Sequence, residues 1–297
     1  MIELKRLLGP MRVPFLLLAP ACFLLGLGTA KLAVGHVNGL QALLVLVGAV
    51  SAHISVNAFN EYFDFKSGLD FKTTRTPFSG GSGTLPKNPA LAGTAFKTAW
   101  TSFSITALIG LYFCSVRGWM LLPLGILGLA VIYAYTVWLT RHPLLCLVAP
   151  GLGFGPLMVL GTHFALTGAY SAAAGLASLV PFFLVSDLLL LNQFPDAEAD
   201  RSIGRRHLPI VVGRRLSSYI YGLFLLFAYL VLLVGVYNTY FPPACLLGLI
   251  TAAAALPAFL GAVRYADRPQ KLVVFMGLNV AVNLSMPVLI AVGMLVT

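Results

Sequence analysis

Nine stretches of this chain are apolar for long enough to cross a bilayer, and that leaves the backbone few options. They fall at about 12–30, 40–62, 92–115, 119–140, 143–164, 171–194, 217–237, 242–263 and 272–295. In hydrocarbon no water satisfies the peptide groups, so a spanning segment is either a helix or part of a closed barrel. Barrel strands alternate apolar and polar residues; a run such as Leu188-Leu189-Leu190-Leu191 does not. The expected fold is all-α: a polytopic membrane protein with about nine transmembrane helices. Composition agrees. Of 297 residues only 9% are charged, against about 25% in a soluble domain.

The net charge of +10 does not point to nucleic acid. Cytoplasmic loops of membrane proteins collect Lys and Arg. With the N-terminus inside, seventeen of the nineteen basic residues fall on inner segments, leaving only Lys31 and Arg117 outside. That predicts an integral, multi-pass protein of the cell's inner or plasma membrane. Its C-terminus then lies outside. The first apolar run follows a basic stretch, as in a signal peptide, but the spans behind it favour an uncleaved helix. Cys22, Cys114, Cys146 and Cys245 lie in or beside apolar runs without metal-ligand spacing, and read as packing residues. No soluble domain is expected. Residues 1–297 read as one transmembrane domain, with a hint of repeated halves at about 12–140 and 143–263.

Most of the chain's carboxylates sit in two places. Seven of the nine (Glu61, Asp64, Asp70, Asp187, Asp196, Glu198 and Asp200) fall within or close to two similar stretches. The first begins at Asn57, the second at Asn192. Both open long inner loops, from about Asp64 to Leu91 and from about Asp196 to Ser217. His53, Asn57, Asn60 and Asp64 are spaced to share one helical face. A polar face on an apolar helix should turn toward the bundle interior or a cavity. Asn192, Asp196 and Asp200 repeat the pattern, and Pro195 is expected to end or kink that helix.

Asp64, Asp70, Asp196, Glu198 and Asp200 gathered together would repel one another, and a divalent cation relieves that. Oxygen ligands favour Mg²⁺ over Zn²⁺. The neighbouring Lys66, Lys72, Arg75, Arg201, Arg205 and Arg206 suit a phosphate group. Acids, Mg²⁺ and cations at a membrane surface therefore describe a diphosphate site, with room behind it for a hydrocarbon tail. Topology alone explains any single Lys or Arg as well, but acids have no such reason to be there. His53 fits equally a buried histidine bonded to a neighbouring helix. Asp187 lies about 140° around its helix from Asn192, which argues against a metal role. It is left to contact an acceptor or to bond a neighbouring helix. Asn279 and Asn283 read as helix–helix hydrogen bonds.

Asn60-x-x-x-Asp64-x-x-x-x-x-Asp70 and Asn192-x-x-x-Asp196-x-x-x-Asp200 resemble the two signature motifs of the UbiA superfamily of intramembrane prenyltransferases. The resemblance runs through the whole chain, with a motif after the second and after the sixth helix. The gap from Asp64 to Asp70, with Gly68 inside it, is similar to the menaquinone-type branch, the 1,4-dihydroxy-2-naphthoate prenyltransferases. Glu61 stands where that family commonly has Asp, and His207 where it commonly has Thr. The Ser79-Gly-Gly-Ser-Gly run is not tied to an acceptor.

The resemblance implies helices around a central cavity, an active site on the cytoplasmic side, and Mg²⁺-dependent transfer of a polyprenyl group from its diphosphate to an aromatic acceptor. It implies Mg²⁺ on Asn60, Asp64, Asn192 and Asp196, with Asp70 and Asp200 assisting. Lys72, Arg75, Arg141, Arg201 and Arg205 would contact the diphosphate. His53, Tyr62, Phe63, Tyr133, Tyr135 and Asp187 are candidates for the acceptor or for sheltering an allylic cation. The residues 77–83 would cap the site. A naphthoate is the expected acceptor; 4-hydroxybenzoate, homogentisate, a porphyrin-type ring or a glycerol-phosphate lipid would use the same chemistry. A transporter is the alternative of another class, but its key charges would lie near the midplane.

Overall fold

A computed structural model describes residues 8–297; Lys5 and Arg6, counted above on the inner side, lie outside them. Among the described residues nine helices are long and apolar enough to cross a membrane. They are α1 Gly9–Val34, α2 Gly39–Lys66, α3 Pro89–Arg117, α4 Trp119–Val137, α5 Pro143–Thr167, α6 Ala172–Arg201, α7 Arg214–Tyr237, α8 Pro243–Arg264 and α9 Pro269–Leu295. Each expected apolar run falls on one of them, though the fourth helix ends at Val137 rather than at residue 140. The protein is an integral, multi-pass membrane protein, and its outer surface suits lipid: Leu108, Leu144, Leu226 and Leu256 are all exposed.

Local chemistry sets several helix starts. The Asn38 side chain accepts the Gln41 N–H at 3.0 Å before α2, and Ser171 accepts that of Ala174 at 3.1 Å before α6. Such caps satisfy backbone donors with no partner inside the helix. Pro143 and Pro269 occupy first turns, where a missing N–H loses nothing.

One expectation is corrected. Pro195 does not end α6 before its acids; the helix continues through it to Arg201. A neighbouring element holds the helix beside the proline: the Arg214 Nε–H donates to the Phe194 carbonyl at 2.8 Å. Regular geometry breaks in α5 instead, where Gly153–Leu160 widens to π-helix around Pro156. A proline removes an N–H and crowds the preceding turn.

α1 runs through the middle of the molecule, packing on α9, α5, α2 and α6. The largest apolar core joins α6, α7, α8 and α9 to it through Leu191, Tyr221, Leu232, Met276 and Ile290. A second core, with Phe23, Phe113, Leu121 and Phe164, closes the end of the bundle opposite the acids. The four cysteines are free and buried, in keeping with a packing role. Between the cores lies a cavity of about 570 Å³. It reaches from Asp64 and Asp196 at one end to Phe113, Cys114 and Leu121 at the other.

Candidate active site

The polar face of α2 turns into this cavity. His53, Asn57, Asn60 and Asp64 all line it, as do Asn192, Asp196 and Asp200 from α6. Asp70 joins them from the short turn Leu69–Phe71. Glu198 does not: its side chain is 68% exposed and pairs with Arg201 at 3.4 Å and Arg214 at 3.6 Å. The cluster therefore holds four carboxylates, not five. On a helix, two residues past Asp196 is more than half a turn away, so Glu198 faces outward.

Arg205 ties the two motifs together. It bonds Asp64 through Nη2, and Asp200 through Nη1 at 2.9 Å. The turn after α6 puts it there, with the Arg205 backbone N–H on the Asp200 carbonyl at 3.1 Å. Burial opposes the charge on the Arg205 guanidinium, yet Asp64 and Asp200 outweigh that and raise its pKa. His207 Nε2 lies 2.9 Å from the second oxygen of Asp200. Asp70 has the opposite balance. Burial, then repulsion from Glu61 and Asp64, push its carboxyl up to about 7 against the pull of Arg12 and Arg75.

Among the described residues no three His, Cys, Asp or Glu side chains stand close enough to grip a metal by themselves. Arg205 occupies Asp64 and Asp200, and the Gly80 N–H takes one Asp196 oxygen at 3.1 Å. The Asn60 Oδ1 accepts from Arg12 at 2.7 Å. Buried acceptors are nevertheless left over. Asp70 Oδ2, Asn192 Oδ1 and Asp196 Oδ1 have no hydrogen-bond partner, and all three residues line the cavity. Unpaired buried oxygens are costly, and hard oxygens of this kind fit Mg²⁺.

The expected cations divide. Arg205 lines the cavity; Lys72, Arg75, Arg141 and Arg201 do not. Lys72 reaches Ser202 at 3.2 Å, and Arg75 donates to the Asp70 carbonyl at 3.0 Å. Arg201 bonds Glu198 and the Ile210 carbonyl. Arg141 sits at a separate space of about 270 Å³ with Lys66, behind the Asp64–Arg205 pair.

The aromatics divide too. Tyr135 lines the cavity, and His53 sits edge-on to Phe154 with ring centroids 4.7 Å apart. Tyr62, Phe63 and Tyr133 lie outside it, in a cluster built on Phe59, Phe96 and Trp100. Their place is packing between α2, α3 and α4. Asp187 is fully buried but off the cavity wall, and neither of its oxygens bonds anything. So it meets neither expectation offered for it. Asn283 bonds Asn279 within α9 rather than another helix.

Sequence reasoning missed Arg12. It had been counted only as a topological charge, yet it lines the cavity and bonds both Glu61 and Asn60. The signal available was a cation at the same end of the bundle as the acids.

An all-helical membrane bundle with two acidic motifs at one end of an apolar cavity defines an intramembrane class of protein. Residues 17–283 match the UbiA prenyltransferase family, and the chain belongs to that family. It is 31% identical over 185 residues to 1,4-dihydroxy-2-naphthoate octaprenyltransferase of Bacillus subtilis (strain 168). That match takes in 60% of this chain and 57% of the relative, so it spans little more than half the relative's length. The fold is similar to a solved structure of digeranylgeranylglyceryl phosphate synthase, at TM-score 0.65 and 17% identity over 100% of both chains. It is also similar to a UbiA homolog from Archaeoglobus fulgidus bound to DMAPP and Mg²⁺. There the TM-score is 0.58 and identity 13%, over 97% of this chain and 99% of the other.

Proposed function

We propose that this protein transfers a prenyl group from an isoprenyl diphosphate to an electron-rich aromatic acceptor, with Mg²⁺ at the acidic cluster. One observation carries the reading. Four carboxylates from two distant motifs meet two guanidiniums at one end of a cavity whose remainder is mostly apolar. A diphosphate headgroup suits the first end and a hydrocarbon tail the second. The family's name and the Mg²⁺ and DMAPP bound to the Archaeoglobus fulgidus homolog support it.

The residues that would hold Mg²⁺ are Asp64, Asp70, Asn192 and Asp196, with Asn60 and Asp200 beside them. Bound there, it would offset charge on the leaving diphosphate. Arg205 and Arg12 would add charge-assisted hydrogen bonds to the diphosphate oxygens. Breaking the carbon–oxygen bond leaves an allylic cation, which the Tyr135 and Phe154 rings are placed to shelter. The acceptor ring attacks at carbon and then loses a proton. The bias of basic residues supports a cytoplasmic face for this chemistry.

The acceptor we favour is 1,4-dihydroxy-2-naphthoate, which would also lose carbon dioxide. The spacing of the first motif and similarity to the Bacillus subtilis relative support it. The test is a product assay by mass spectrometry. Purified protein receives prenyl diphosphates, Mg²⁺ and a panel of aromatic acceptors and glycerol-phosphate lipids. A prenylated, decarboxylated naphthoate is expected, lost with EDTA and restored by Mg²⁺. Another prenylated acceptor would overturn the naphthoate assignment. No product from any acceptor in folded protein would overturn prenyl transfer and favour a transporter.

A further inference from the structure

Glu61, a departure from the family pattern, and the Ser79-Gly-Gly-Ser-Gly run meet in space. Glu61 is fully buried at 0% exposure. Its Oε1 accepts the Arg12 Nε–H and the Ser82 backbone N–H, both at 2.7 Å. Its Oε2 accepts the Ser82 hydroxyl at 2.7 Å. Both oxygens are therefore committed, and Glu61 does not line the cavity although its neighbour Asn60 does. The strap that it holds does line the cavity, through Phe78, Ser79, Gly80 and Gly81.

We propose that Glu61 and Ser82 form a clasp that keeps residues 79–83 closed over the mouth of the cavity, excluding water from the reacting carbon. Glu61 is thus a positioning residue and not a metal ligand. The proposal rests on the prenyl-transfer reading for its chemical consequence, but not for the clasp itself. The strap is anchored at several points. Gly80 donates to Asp196 on α6, and the Arg12 that Glu61 grips also bonds Asn60 at 2.7 Å. Arg12 holds a left-handed φ of 51°, a conformation that non-glycine residues adopt rarely and only when held. Any residue with a side chain would be strained at Gly81. Its φ is 72°, and a Cβ would stand 2.9 Å from Asp70 Oδ1 and 3.3 Å from Glu61 Oε1. The longer arm of Glu explains the departure from Asp: a side chain one methylene shorter would fall short of Ser82 and Arg12 together.

An open roof has a defined chemical result. The carbon–oxygen bond breaks with its electron pair leaving on the diphosphate. A water oxygen then bonds the allylic carbon and releases a proton to solvent. The products are a prenyl alcohol and inorganic diphosphate instead of prenylated acceptor.

The experiment uses the full chain in lipid nanodiscs, comparing wild type with Glu61→Gln, Glu61→Asp and Ser82→Ala. Hydrogen exchange reads the strap, and mass spectrometry reads the ratio of prenyl alcohol to prenylated acceptor. In Glu61→Gln, exchange over 79–83 should speed up by about tenfold or more while the middle of α2 stays protected. The alcohol ratio should rise severalfold in Glu61→Gln and in Glu61→Asp, with a smaller rise in Ser82→Ala. Should Glu61→Gln fail to fold, the other two carry the test. An unchanged strap in every folded variant overturns the clasp. A loosened strap with an unchanged alcohol ratio overturns its role against water. Wild type yielding neither alcohol nor prenylated product would overturn the prenyl-transfer reading, and exchange would still judge the clasp.

Discussion

Asp70 and Asp196 both carry an oxygen without a hydrogen-bond partner, and each makes a separate prediction. Asp196→Ala removes an oxygen set on the proposed metal. It should lower kcat/KM by about 100-fold or more, since charge stabilisation at a leaving group is worth several kcal/mol. Asp64→Ala should do the same, and in both variants size-exclusion profiles and thermal melting should report folded protein. Near-normal turnover would remove these residues from the metal assignment. Asp70 predicts a pH effect. Its folded pKa of about 7 lies above the usual 3.8, so folding favours its protonated form. That contribution to stability is complete below about pH 4 and is lost as pH rises through 7. With EDTA present, wild-type melting temperature should fall over this window, and Asp70→Asn should flatten the fall. Identical pH profiles would contradict the environment described for Asp70.

At the scale of elements, helix content was legible because hydrocarbon allows little else. Helix shape was less so. Pro195 reads as a breaker in isolation, yet α6 continues through it, with α7 packed alongside and the Arg214 side chain bonding the Phe194 carbonyl next to the proline. The shared polar face of α2 was visible in its spacing, and so was the matching face of α6. What those faces would meet was not. The contact of α5 with α6 depends on Gly151, whose missing side chain lets the Phe182 carbonyl and the Ser186 hydroxyl come against its Cα. Gly151→Ala should force the helices apart, costing about 1–3 kcal/mol by overpacking. Melting measured in detergent checks this. An unchanged melting temperature would mean that the helices tolerate separation there.

At the scale of the molecule, the cavity runs from the acids to Phe113 and Leu121 at the far end, so under the proposed function the donor's tail length should be set along that wall. Gly128 lies on it and has open space before it, the nearest atom to an added Cβ being Leu157 Cδ1 at 4.0 Å. Gly128→Phe should shift preference toward short donors by about tenfold, as a bulky ring blocks burial of distal carbons. The check is kcat/KM for geranyl diphosphate against a longer donor; parallel losses for both would place the tail elsewhere.

By itself the sequence determined nine spans, a clustering of acids at two motifs, and the polar faces that carry them. These are local properties: apolar length, charge and helical period act within one segment. Only the tertiary structure decided which cations reach the acids. Arg12 and Arg205 lie 193 positions apart in the chain yet line one cavity, while Lys72 and Arg201, each next to a motif, stay outside it. It also decided that Glu61 serves the strap and that Tyr62 and Tyr133 serve packing. A side chain's partner across the bundle depends on how helices are rotated and stacked against one another. No single segment encodes that rotation; it emerges from all the interfaces at once.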